Sequence, residues 1–158
     1  QASGEVETKL DNIYISNGLA WSADNQWFYY IDSTRGRVAR YSFDLETANI
    51  KYDKEVIAID PAMGVPDGMT IDEAGNLWVA IYDGERVISV DPKRGEIIEQ
   101  VEVPAKKTSS CTFGGENLDT LFITTISENT DPAQDPLAGS LFTIKPGVRG
   151  TKANFYGG

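Results

Sequence analysis

Two short motifs place oxygen-bearing side chains fifty residues apart, at equivalent points of a repeat. Asn17-Gly18 heads the stretch NGLAWSADNQWFYYID (17–32), and Asp67-Gly68 heads DGMTIDEAGNLWVAIY (67–82). A third, weaker copy starts near Thr108 and continues SSCTFGGENLDTLFITTIS, which aligns Ser109 with Asn17 and Asp67, or Ser110 one residue on. Amide and carboxylate oxygens are hard donors. If such positions converge, they suit Ca2+, Mg2+ or Mn2+ rather than a thiolate-loving metal. Asn-Gly and Asp-Gly are also ordinary turn pairs; their place at the head of a repeat is what makes them candidates.

The elements that must position these residues are strands. After each motif comes a polar turn and an apolar, β-branched and aromatic run, WFYYID (27–32) or LWVAIY (77–82), then a second run, RVARY (37–41) or RVISV (86–90). These read as hairpins, with outer strands at 51–59 and 96–103. In the third copy, strands are expected at 121–126 and 140–144 on either side of an Asp- and Pro-rich loop (128–138), and the tail 147–158 would start or finish a further edge strand. Residues 5–15 alternate loosely and read as one strand entering the first repeat. No long segment has helical periodicity. A strand-only repeat of this length predicts an all-β fold, a β-propeller with about three four-stranded blades. In a propeller the start of each innermost strand faces the central tunnel, so Asn17, Asp67 and Ser109 would approach one axis. Propellers close with roughly four to eight blades. The chain is therefore expected to be half of one propeller domain (1–158), pairing with a missing half or with a second copy.

Composition narrows the chemistry. There is no histidine, which removes Ser-His-Asp and Cys-His catalysis and histidine metal ligands from this chain. The single cysteine, Cys111, can form no internal disulfide, and this fits a reducing, cytoplasmic setting. The net charge of −10 disfavours nucleic acid and anionic membrane surfaces as partners. No apolar run approaches a membrane span. The chain opens at Gln1 rather than Met, which reads as a fragment or a processed chain.

The segments ISNGLAWS (15–22), FYYIDS (28–33), VPDGMTIDEAGNLWVA (65–80), RVISVDPKRGE (86–96) and TSSCTFGGENLDTLFITT (108–125) resemble the second half of the SMP-30/gluconolactonase/luciferin-regenerating-enzyme family, which includes regucalcin. The resemblance implies a six-bladed propeller about twice this length. It also implies one divalent cation (Ca2+, Zn2+, Mg2+ or Mn2+) on the axis, held by a Glu of the first blade, by the Asn of the SNG motif and by the Asp of the PDG motif. The last two are Asn17 and Asp67; the Glu has no counterpart in this chain. The implied reaction is metal-assisted hydrolysis of a small lactone or ester, with Asp67 as ligand and general base. The alternatives within the same resemblance are a luciferin-regenerating type of hydrolysis and a calcium-binding regulatory protein without turnover.

The remaining candidates have plainer expectations. Ser109 and Ser110 lack a histidine to activate them and are expected to pack or to make second hydrogen bonds. Cys111 is expected in the core. Glu128, Asp131 and Asp135 lack the spacing of a calcium loop and are expected in a solvated one. Trp21, Trp27 and Trp78 are expected between blades. Tyr29 and Tyr30 point to opposite faces of one strand, so at most one faces the core. Lys106 and Lys107 precede the third inner strand and are expected at the surface, where one could reach a polar substrate.

Overall fold

A computed structural model describes residues 6–153. It contains three antiparallel sheets in chain order. The first comprises β1 (Ser16–Trp21), β2 (Trp27–Asp32), β3 (Arg37–Phe43) and β4 (Ile50–Ala58). The second comprises β5 (Val65–Ile71), β6 (Leu77–Tyr82), β7 (Arg86–Asp91) and β8 (Glu96–Glu102). The third comprises β9 (Thr108–Gly114), β10 (Thr120–Thr125) and β11 (Leu141–Ile144). Each sheet is a simple meander, and the architecture is all-β, as expected of propeller blades.

The second sheet is the middle layer, and its strands show it. LWVAIY has no polar alternation because both of its faces are covered. Leu77, Val79 and Ile81 join Ala20, Tyr29, Ile31, Val38 and Val56 in a core against the first sheet. Trp78 and Ala80 join Val87, Val101, Cys111, Phe113, Leu121 and Ile123 in a core against the third. Leu77, Val79, Ala80 and Ile81 are fully excluded from solvent. Burial of each large apolar side chain contributes about 1.5–3 kcal/mol before the entropy of ordering is set against it.

Two expectations change. Residues 6–15 form no strand: among the described residues no neighbour offers this segment a ladder, and the Asp32 carboxylate takes the backbone N–H groups of Tyr14 and Ile15 instead. The third sheet has three strands among the described residues. Of the tail, Gly150 makes only an isolated bridge to Asp72, and residues 154–158 lie outside the described part. Tyr29 and Tyr30 are both buried. Only Tyr29 enters the core between the first two sheets; Tyr30 is covered on the opposite face, where its ring stacks on Phe28 and its hydroxyl donates to Ser16 Oγ at 2.6 Å.

That opposite face of the first sheet is aromatic. Trp21 lies against Phe28 and Phe43, and Tyr41 against Phe28 and Tyr52. Leu19 and Tyr52 there are 50% and 53% exposed. No helix of the described residues is long and apolar enough to cross a membrane.

Candidate metal centre at the head of the inner strands

The ladder slips by one residue at each repeat motif. Ser16 pairs with Asp32 but Leu19 with Tyr30, so three steps along β1 match two along β2. Pro66 pairs with Ile81 and Met69 with Val79, the same mismatch. In the third sheet Thr108 pairs with Thr125 and Ser110 with Thr124. The surplus residue falls at Asn17-Gly18, at Asp67-Gly68 and at Ser109. A bulge turns the strand and re-aims its side chain, so the three repeats redirect equivalent residues by the same device.

The glycines after the first two motifs let the inner strands close on one another. A Cβ built on Gly18 would lie 2.6 Å from Met69 Cβ and 2.7 Å from the Asp67 carbonyl oxygen. A Cβ on Gly68 would lie 2.5 Å from Ser110 Cβ and 2.7 Å from its Cα. Real Cβ atoms do not come this near, so both positions require glycine for close approach. Gly18, Gly68 and Ser110 thus form one row across the blades. This row settles the register: Ser109, not Ser110, is the equivalent of Asn17 and Asp67.

Asn17 and Asp67 meet. The Asn17 Nδ2 group donates to Asp67 Oδ1, and also to Ser33 Oγ at 3.1 Å. Ser33 is buried at the end of β2, and its hydroxyl donates to the Pro66 carbonyl at 2.8 Å. A cavity of about 310 Å3 opens here, lined by Ile15, Asn17, Ser33, Val65, Asp67 and Tyr82. Partial burial pushes the Asp67 carboxyl above its ordinary value, and the Asn17 hydrogen bond only partly offsets this. The cavity lining includes no basic side chain. A half-buried carboxylate beside an amide, with no positive group on the wall, is a donor set that suits a hard divalent cation. It is also incomplete: no group of three or more acidic, histidine or cysteine side chains clusters for a metal among the described residues.

Asp32 supports this corner from below. Burial would raise its carboxyl, but hydrogen bonds from Thr34, Ile15 and Tyr14 outweigh that and hold it below the usual carboxylate range. Through the two backbone bonds it sets the chain's approach to β1 and hence to Asn17. The sequence does not single out Asp32 and Ser33, because D-S-T-R-G reads locally as a turn and the partners that tie them to this corner, Tyr14, Ile15, Asn17 and Pro66, lie 16 or more residues away.

The other candidates sit apart from this pair. Ser109 is bonded to Thr124 (2.9 Å between hydroxyls), and Ser110 packs on Gly68. Cys111 is buried with its thiol pushed up to about 12 by desolvation, and it donates to the Trp78 carbonyl. Lys107 Nζ caps the Glu128 and Asn129 carbonyls, while the Lys106 backbone N–H binds Asp135. Asp131 accepts the Ala133 N–H within its own turn. Trp78 packs between the second and third sheets, edge-on to Phe113, and donates to buried Asp72. Trp27 packs against the first core under the Arg40 guanidinium, whereas Trp21 lies on the outer aromatic face.

Comparison with known proteins agrees with this architecture. The family model described as SMP-30/Gluconolactonase/LRE-like region matches residues 1–127. Regucalcin of Sus scrofa is 40% identical over 161 residues, covering 99% of this chain and 54% of its own. A luciferin-regenerating enzyme structure superposes with a TM-score of 0.84 at 36% identity, over 93% of this chain and 50% of that one. A regucalcin from Agrobacterium tumefaciens, described as a calcium-binding protein, superposes with a TM-score of 0.88 at 27% identity, over 95% and 52%. The chain spans about half the length of the curated relatives it matches. The chain belongs to the SMP-30/gluconolactonase/LRE-like family.

Proposed function

We propose that this chain is the C-terminal half of a six-bladed propeller that hydrolyses a small lactone or related ester with the help of one divalent cation. The observation that carries the reading is the junction of Asn17 and Asp67 at bulged heads of adjacent inner strands, in a cavity with no positive group on its lining. Asn17 Oδ1 and the Asp67 carboxylate would hold the ion (Ca2+, Zn2+, Mg2+ or Mn2+), and a third ligand, a Glu, would come from outside this chain. The bound ion supplies Lewis-acid polarisation of the ester carbonyl and a more acidic water. Asn17 is neutral and fixes the geometry without adding charge. Asp67 takes the proton of the attacking water as general base. The N-terminal half, as a companion chain or as a segment of the same one, would complete both the ring and the ligand set.

The test is hydrolysis of a panel of sugar and aliphatic lactones by the complete protein, followed by acid release at constant pH. Activity abolished by EDTA and restored by a divalent cation supports the reading. Hydrolysis that survives chelation contradicts it. Cation uptake without turnover on any lactone or ester would instead support a calcium-binding regulatory protein built on the same two ligands.

A further inference from the structure

We infer that Ser33 is a positioning residue that fixes the orientation of the Asn17 side-chain amide, turning its oxygen toward the ion site and its nitrogen toward Asp67. The inference rests on the metal-centre reading above and adds a residue to it. An asparagine amide can face either way, and only its neighbours decide. Ser33 has one hydroxyl proton, and that proton is committed to the Pro66 carbonyl at 2.8 Å. Toward Asn17 it can therefore only accept. The Asp67 carboxylate also only accepts when ionised. Two acceptors thus flank the same end of the Asn17 amide, and both take its Nδ2 protons. The flipped amide would set oxygen against oxygen at both contacts. Oδ1 is left without a hydrogen bond among the described residues and is not among the buried unpaired atoms, so it is free to serve as a ligand.

The same hydroxyl couples two blades. Ser33 follows β2 of the first sheet, and Pro66 immediately precedes Asp67 on β5 of the second. Pro66 lacks an N–H, but its carbonyl is available at the open edge of that inner strand. One buried side chain thereby ties the strand that carries Asp67 to the amide beside it. A hydrogen-bonded group behind a ligand typically changes metal affinity about 10- to 100-fold when removed.

The experiment is Ca2+ titration calorimetry on the complete protein as wild type, Ser33→Ala and Ser33→Thr, with circular dichroism and melting in EDTA to verify folding. Ser33→Ala is expected to weaken Ca2+ binding about 10- to 100-fold, and Ser33→Thr, which keeps the hydroxyl, to restore most of it. In parallel, the Asn17 side-chain NH2 signals are followed by NMR in the metal-free protein. They should be protected from exchange in the wild type and lose that protection in Ser33→Ala. This second readout needs no metal and stays decisive if the threonine variant does not fold. Unchanged NH2 protection in folded Ser33→Ala, or Ca2+ affinity within threefold of a wild type that binds it, overturns the role of Ser33. A wild type that takes up none of Ca2+, Zn2+, Mg2+ and Mn2+ sinks the metal reading instead, and the NH2 signals still decide the orientation.

Discussion

At the scale of the residue, the account turns on one uncompensated charge. Asp67 is partly buried, its carboxyl is pushed up by desolvation, and its described partner is a neutral amide. Asp67→Asn should therefore hold or raise the melting temperature in EDTA while cutting cation affinity and lowering hydrolysis by about 10²–10⁴-fold, the range for losing a general base. Melting curves in EDTA and in Ca2+, set beside kcat, check this. A variant that melts lower in EDTA would mean that the carboxylate is structural. Asp32 has the opposite balance. Its carboxyl is held down by Thr34 and the Ile15 and Tyr14 N–H groups, despite burial. A depressed carboxyl contributes stability above its unfolded pKa and loses it as pH falls through the folded value. Asp32→Ala should cost about 1–3 kcal/mol near neutrality, and the gap from wild type should shrink only below the ordinary carboxylate range. Denaturant titrations across pH measure it. Asn17 and Asp67 were legible from the repeat, because an oxygen-bearing residue before glycine recurs at the same point. Ser33 was not, because its hydrogen-bonding partners lie in another strand and another sheet.

At the scale of the element, the bulges and glycines carry the geometry. Strands 27–32 and 77–82 could be read to the residue from their apolar runs and flanking turns. The start of β5 could not. Gly64-Val65-Pro66 reads as a loop crossing to the second repeat, yet β5 begins at Val65. The strand pairs through only one edge, so a proline is tolerated there. Residues 6–15 depart in the other direction, since alternation without a neighbouring strand makes no sheet. The row Gly18–Gly68–Ser110 gives the element-scale prediction. Gly68→Ala drives a methyl group into Ser110 and should cost about 1–3 kcal/mol of overpacking. Because it moves the strand that carries Asp67, it should also weaken cation binding. Adding Ser110→Gly should recover part of both losses. A simple sum of two losses in the double variant would show that the two strands do not press on each other there.

At the scale of the whole molecule, the first sheet leaves a face of Leu19, Trp21, Phe28, Tyr30, Tyr41 and Tyr52, with no sheet against it among the described residues. Exposed apolar faces of this kind mark interfaces. Expressed alone, the 158-residue chain should bind a hydrophobic dye strongly and elute above its 17.3 kDa mass as a self-associated species, and addition of an N-terminal half should suppress the dye binding and replace that species by a one-to-one complex. A monomer with no dye binding would mean that the face is covered some other way. The blade-like sheets were legible from the repeat, and the chain spans about half the length of the relatives it matches. The proposed ion site is legible only in part, because two of its expected ligands lie in this chain and the third, a Glu, is expected outside it. The most direct test is native mass spectrometry of the complete protein without metal and with each of Ca2+, Zn2+, Mg2+ and Mn2+, as wild type, Asn17→Ala and Asp67→Ala. One divalent cation per propeller should be retained in the wild type, with weaker retention in Asn17→Ala and none in Asp67→Ala. Equal retention in all three, or none in the wild type, would contradict the proposed ion site.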